Sequence, residues 1–429
     1  MRFAVLACVF MVSGSAVAER LTLSHVYDLA VQNDPALRIE EAIRQGAEAS
    51  EDAAVASRWL TASAALSRAA TDSALSNDAF LTDSASVTLS MPVFDRSISQ
   101  AIESARAGAR SAESGLLAFR QTHIVTVANA YFTVLSAERD LQASEAEVEA
   151  VTKQLEQATE RLAVGIGTRV DVDQARAQLD LSKVGVISAE VSLATARADL
   201  GRMIAQEPTA LAQLSDAYPA VLQPDLVLDV ESAVDRHPLV IEQEETFRSA
   251  AAEVAEARGE RWPSVSLSST YTVTDKQGAN SSNGLTAQGN VVSLSVSVPL
   301  FKSGGYDAAI AGAQASLMRE EARLDQVRRE VARNIRIAYQ ELEASVRTVE
   351  ARSLAIVSAA SRLEATEAAY SVGSGDIVEV LNAQKDMIAA ERDLAKARHT
   401  HVIRQLQLDQ ALGELSETAV TRLDSALVQ

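Results

Sequence analysis

The sequence predicts an α+β membrane protein in which long antiparallel helical hairpins are joined to four strands. Three observations carry this. The run from Lys302 past Tyr370 holds no proline and keeps small or apolar residues at alternating spacings of three and four, as in Val346, Val349, Ser353, Ile356, Ala360 and Leu363, with Glu367 and Tyr370 continuing the row. Four shorter stretches alternate apolar with small polar residues, the period of a strand. The whole pattern then occurs twice.

The repeat is legible in matched positions. Asn33-Asp34-Pro35 corresponds to Arg236-His237-Pro238 and Arg58-Trp59 to Arg261-Trp262, both at an offset of 203. Met91-Pro92-Val93-Phe94 corresponds to Val298-Pro299-Leu300-Phe301 at 207, and Ala130-Tyr131 to Ala338-Tyr339 and Val164-Gly165 to Val372-Gly373 at 208. The offset changes between the tryptophan and the proline, where a loop is expected, and again near Gly304-Gly305.

Each copy opens with a helix, residues 22–57 and then 229–259. Two strands follow, Leu60–Ala69 and Ala85–Val93 in the first copy, Val265–Val273 and Val292–Val298 in the second, with Gln277–Asn290 read as a loop. A long helix comes next, 96–163 in the first copy and 302–371 in the second. At about 1.5 Å per residue each is a rod on the order of 100 Å long. A glycine turn and a returning helix (170–204 in the first copy) complete the unit, and Pro208, Pro219 and Pro224 mark the linker. The predicted organisation is an export signal over 1–18, one repeat over 19–224, a second over 225–416, and a polar, loosely held tail over 417–429.

The signal reading rests on Arg2, the apolar run Phe3–Val12 and the Ala16-Val17-Ala18 cleavage pattern. Cys8 is the only cysteine, so a processed chain has no thiol for disulfide, metal or catalysis. No run of 18 apolar residues follows it, so no transmembrane helix is expected. A net charge of −19 opposes binding to nucleic acid or anionic lipid heads; the acidic excess either forms a solvated surface or lines a cation-friendly passage.

Three of the four strands run about nine or ten residues, the length of a tilted crossing of a bilayer, and the one from Val292 reaches it only by starting a little earlier. Four strands cannot close a barrel, and an open edge in lipid leaves backbone groups unpaired at several kcal/mol each. Three copies supply twelve strands, an even number as outer-membrane barrels prefer. Trp59, Phe94, Trp262 and Phe301 sit at helix–strand boundaries, where an aromatic belt meets a membrane surface. The other reading of the same strands is a soluble sandwich with buried aromatics.

The ordered set of motifs resembles the TolC-like outer-membrane efflux proteins over essentially the full processed length. It comprises the twofold repeat, the Pro-aromatic ends of the second strands, Ala130-Tyr131-Phe132, and the turns Arg161–Val172 and Tyr370–Ala383. The resemblance implies a homotrimer with a twelve-stranded barrel in outer-membrane lipid and a helical tunnel through the periplasm of a Gram-negative cell. It implies service to drug efflux or type I protein secretion, with a periplasmic adaptor and an inner-membrane transporter of the ABC or RND type as partners. It places the constriction at Asp171, Glu379, Asn382 and Tyr370. Adaptor docking falls at Val164, Gly165, Ile166, Gly167 and Thr168, and at Val372, Gly373, Ser374 and Gly375. Two departures stand out: Asn382 replaces an acid of the family pattern, and Gly375 an arginine of its closed-state lock, leaving a lock between Tyr370 and Asp171.

The same residues have local readings. Thr168–Asp171 and Asp376–Glu379 fit capping boxes, and the four turn glycines fit helix ends with positive φ. Tyr131 and Tyr339 read as packing residues. His399 and His401, two apart on a helix, point away from each other and make a poor metal site. No nucleophile–base pair or phosphate loop is present, so neither an enzyme nor a cofactor is expected. The alternative from another class is a periplasmic coiled-coil adaptor or scaffold.

Overall fold

The structure, a computed structural model, describes residues 20–73, 78–208, 210–215, 218–220, 229–278 and 285–428. The export segment with Cys8, and Pro224 of the linker, lie outside the described residues. The first copy contains α1 (Leu23–Asn33), α2 (Pro35–Ala56), β1 (Thr61–Ser73), β2 (Asp78–Phe94), α3 (Arg96–Ala163) and α4 (Arg169–Ile204), followed by β3 (Gln213–Leu214). The second contains α5 (Val230–Arg236), α6 (Pro238–Gly259), β4 (Ser264–Gly278), β5 (Leu285–Ser297), α7 (Gly305–Ser371) and α8 (Ile377–Ala411). The chain then adds α9 (Glu417–Asp424) and β6 (Leu427–Val428). Two compact units cut across this order: Met1–Leu37, Arg120–Asp229 and Asn334–Gln429 form one, Arg38–Phe119 and Val230–Arg333 the other.

Three expectations are corrected. The opening helix of each copy is two helices, because Pro35 and Pro238 cannot donate a helical hydrogen bond and force the preceding residue out of the helix. Asp34 (φ −68°, ψ 119°) and His237 (φ −69°, ψ 131°) are accordingly extended, and each proline starts a new helix. The strands are longer than their apolar alternation: β4 continues to Gly278 and β5 begins at Leu285, inside the stretch read as a loop. Ladder hydrogen bonds do not depend on side-chain polarity, and polar pairs such as Asp275 with Thr286 (3.3 Å) face each other there. The tail is packed rather than loose. Val420 and Leu423 are buried, Asp424 accepts from the Ser24 N–H (3.1 Å), and Leu427–Val428 pair with Gln213–Leu214.

In the unit containing the sheet, the strand order is β1-β2-β4-β5, antiparallel throughout. The register places Leu66 beside Ala85 and Ala85 beside Val273, and Leu267 beside both Met91 and Leu294. Period two therefore segregates the faces. One carries Leu66, Val87, Leu89, Met91, Leu267, Val292, Leu294 and Val296. The other carries Ser67, Ser84, Ser86, Thr88, Thr270, Ser293 and Ser295, with Thr88 and Thr270 hydroxyls 3.2 Å apart. The offset change near Gly304 falls in a turn where Gly305 N–H donates to Lys302 (2.8 Å) and Ser303 and Gly304 take positive φ.

In the other unit the core is one cluster centred on Tyr131 and Phe132 of α3, with Leu200 and Ile204 of α4, Val402 and Leu406 of α8, and Leu423 of α9. Tyr131 is fully buried, its hydroxyl 2.6 Å from the Ala212 carbonyl and 3.1 Å from that of Leu21, so it packs as expected and also ties the residue preceding β3 to α3. Tyr339 packs beside Ala338, Leu342 and Leu408. The rings of His399 and His401 point to different helices: His399 Nδ1 lies 3.0 Å from Ser136 Oγ on α3, His401 Nδ1 2.8 Å from Ser345 Oγ on α7.

Burial pushes His399 down to about 4, and burial pushes Asp409 up to about 6. Between these values the unfolded chain binds the histidine proton and the folded chain the aspartate proton, so their effects on stability oppose each other. Asp409→Asn removes the term that stabilises the fold as pH falls. Its melting temperature, followed by circular dichroism, drops more steeply than that of the parent from pH 6 to pH 4, and His399→Gln reverses the change.

Candidate functional site

Two places carry the residues singled out in the sequence, the sheet and the helical turns. The apolar face of the sheet is uncovered within the chain, with Leu66 87 % and Leu294 66 % exposed. Strands β1 and β5 stand at the two ends of the strand order, so each has a free side among the described residues. A contiguous apolar face of this kind needs a partner or a lipid phase. Trp59, Phe94, Trp262 and Phe301 are all exposed, not buried as a soluble sandwich requires. Trp59, Phe94 and Trp262 flank the ends of β1, β2 and β4, Phe301 follows β5, and the Arg96 guanidinium lies 4.8 Å from the Trp262 ring centre.

The α3–α4 and α7–α8 turns are built on one backbone plan. Gly165 N–H donates to Leu162 (3.1 Å) and Gly373 N–H to Tyr370 (3.1 Å). Ile166 and Gly167 N–H share the Arg161 carbonyl (both 3.0 Å), as Ser374 and Gly375 share that of Ala369 (3.0 and 3.1 Å). Gly165 (φ 81°) and Gly373 (φ 78°) have the expected left-handed conformation. Gly167 and Gly375 do not. They are small for a different reason: a Cβ at Gly167 would lie 2.9 Å from Leu162 N, and one at Gly375 3.0 Å from Tyr370 N. That close approach suits glycine at 375, the position where the family pattern has an arginine. Val164, Ile166 and Val372 are exposed apolar residues on the turns, beside exposed Thr168 and Ser374.

The acidic residues separate. Asp171 closes a full capping box: its carboxylate accepts from Thr168 N–H (3.1 Å) and its N–H donates to Thr168 Oγ (3.2 Å). The second turn is capped differently, by Asp376 accepting from Val378 N–H (3.1 Å); Glu379 forms no reciprocal bond, so the expected second capping box is absent. Glu379 and Asn382, one turn apart on α8, both face outward, whereas Ile377, Val380 and Leu381 face the core. Tyr370 is buried with Val151, Ala158, Ala175 and Leu179, and its hydroxyl has no hydrogen-bond partner among the described residues. The expected Tyr370–Asp171 bond is therefore not formed within the chain. A contact that sequence reasoning missed is Arg161, whose guanidinium donates to the Tyr370 carbonyl (3.0 Å) and lies 4.5 Å from its ring centre. No spacing in the sequence reveals it, since the partners are 209 residues apart.

A two-faced, open-edged sheet and two long helical hairpins in one chain define an outer-membrane channel protein. The sequence model described as outer membrane efflux protein matches residues 26–206 and 230–414, and the chain belongs to that family. It is 30 % identical over 413 residues to the outer membrane protein TolC of Vibrio cholerae, covering 94 % of this chain and 93 % of that protein. TolC of Escherichia coli is 30 % identical over 354 residues, 80 % of this chain and 72 % of that protein. The solved structure of CusC shares the fold with a TM-score of 0.79 at 20 % identity, covering 92 % of each chain. The open-state MtrE channel of Neisseria gonorrhoeae gives 0.73 at 19 % identity, over 91 % and 88 %. The cellular location is the outer membrane, and the adaptor or scaffold alternative finds no support in these relatives.

Thr168→Ala breaks the one complete capping box among the described residues. It loosens the first turn by about 1 kcal/mol, read as roughly fivefold faster amide exchange at Asp171 with no change in the second turn.

Proposed function

We propose that three copies of this chain assemble into an export duct across the outer membrane. It receives small molecules or proteins from an inner-membrane transporter, of the ABC or RND type, through a periplasmic adaptor. The observation that carries this reading is the four-stranded sheet with an apolar outer face and two free edges. Three such sheets joined edge to edge give twelve strands with every backbone group paired and no edge in lipid. The Ser and Thr face then lines the bore, and the aromatic residues at the strand ends sit at one membrane interface.

In this reading the exposed Glu379 and Asn382 face the narrow end of the helical tunnel, with Asp171 close to the same level. Threefold symmetry gathers three Glu379 carboxylates, which favour cations, while Asn382 keeps the second ring neutral. The uncovered apolar residues Val164, Ile166 and Val372, with the glycines between them, form the surface that meets the adaptor. The matching backbone plan of the two turns supports one adaptor element engaging both. Residues 19–224 and 225–416 act as the two halves of each subunit, and 417–429 stays on the periplasmic side.

Purified in detergent, the full processed chain runs as a trimer by native mass spectrometry and forms channels in planar bilayers. A detergent-free, stable monomer overturns the duct. Glu379→Ala lowers cation selectivity, measured as the reversal potential in a salt gradient, by a larger margin than Asp171→Ala, whose carboxylate is engaged in the cap.

A further inference from the structure

The two faces of the sheet differ in charge as well as in polarity. The register sets Lys276 of β4 beside Thr82 of β2, at the alternating positions that also carry Ser84, Ser86, Thr272 and Thr274. From the start of β4 up to this level, the hydroxyl-bearing face holds only Ser, Thr, Ala, Gly, Val and Pro. Lys276 is the first charge on it. The residue is exposed, and its ammonium makes no ion pair among the described residues. The charges at nearby levels belong to the opposite face and have partners there. Arg68 donates to Asp83 through two hydrogen bonds (2.6 and 2.7 Å), and Asp275 accepts from the Thr286 hydroxyl (3.3 Å).

We infer that in the assembled duct Lys276 and its two symmetry mates form a cationic ring at the outer end of the bore, which favours anions and holds multivalent ones such as oligophosphates. This rests on the duct reading and adds an ion-selective site to it. The strands say which end is meant. The chain enters β4 just after Trp262, at the end joined to the helices, and Lys276 comes near the far end of a strand that runs from Ser264 to Gly278. At about 3.3 Å per residue and a tilt near 40°, the stretch from Ser264 to Lys276 rises roughly 30 Å, more than the ~25 Å apolar band of a membrane barrel. The ring therefore lies beyond the hydrocarbon, at the mouth that faces the medium.

The size of the bore makes three ammonium groups effective. Twelve strands about 4.8 Å apart at that tilt enclose a cylinder with a backbone radius of roughly 12 Å. A lysine stem covers about half of it, which leaves each charge roughly 6 Å from the axis. That is shorter than the Debye length of about 8 Å at physiological salt, so the field reaches across the whole lumen. Its sign opposes that of Glu379 and of the chain's net charge of −19. The two rings therefore shift selectivity in opposite directions.

The test uses the full processed chain in planar bilayers, with sodium tripolyphosphate as the probe. Added to the chamber facing the far ends of the strands, the probe lowers the conductance of the parent. Lys276→Gln raises the half-blocking concentration roughly tenfold and moves the reversal potential in a salt gradient toward cations, the reverse of Glu379→Ala. Lys276→Met, similar in length and uncharged, gives the same result and covers the case in which one variant does not fold. Lys276→Arg keeps the block, and so does Arg68→Gln, whose position lies on the lipid face. At about 1 M salt, where the Debye length is near 3 Å, the parent and Lys276→Gln become alike. Lys276→Gln channels that are blocked as readily as the parent overturn the ring and leave the duct standing, and so does a block that Arg68→Gln abolishes. A parent chain that forms no channel overturns the duct and the ring with it.

Discussion

The rest of the architecture depends on the backbone groups along the outer edges of β1 and β5. A four-stranded sheet satisfies the ladder between its members and leaves one side of each end strand open. In water such an edge is tolerable; in lipid it is not, because nothing there can replace the missing hydrogen bonds. The side chains state which solvent is meant. Leu66, Val292 and Leu294 on one face and Ser84, Ser86 and Ser293 on the other cannot both be satisfied by water or both by hydrocarbon. A closed wall with lipid outside and water inside satisfies both faces and removes the edge at once.

The helical turns show how a duplicated chain specialises. The hydrogen bonds at Gly165–Gly167 and Gly373–Gly375 repeat almost atom for atom, which fixes the reversal of both hairpins. The caps do not repeat: Thr168 and Asp171 bind each other reciprocally, whereas Asp376 works alone and leaves Glu379 free to face outward. The duplication supplied the scaffold, and individual substitutions on it set charge and contact. Gly375 shows where the turn is tightest, since a Cβ there would lie 3.0 Å from the Tyr370 backbone nitrogen.

Away from the turns, the helical unit is held by a core into which polar groups are built with partners. The Tyr131 hydroxyl satisfies carbonyls of two segments, and His399 and His401 each face a serine on a different neighbouring helix. Burial keeps both histidines below their ordinary range, so they serve as neutral hydrogen-bonding groups. The terminal segment closes this core through α9 and the β3–β6 pair, linking the end of the chain to the linker that joins the two copies.

What the sequence determined by itself was the set of elements. Period-two alternation from Ala85 to Val93, the unbroken helical run to Ser371 and the matched motifs at 203, 207 and 208 depend only on local geometry and repetition, and local geometry is written in neighbouring residues. Pro35 and Pro238 were equally visible as repeat markers, but only the observed backbone showed each splitting its helix. Tertiary structure decided the remainder. The polar ends of the strands pair because a ladder, once started, continues through backbone groups whatever the side chains. The tail is ordered because Leu427 and Val428 find Gln213 and Leu214, and Arg161 meets Tyr370 because two helix ends arrive together. Contacts between residues hundreds of positions apart follow from packing, and no local pattern records them.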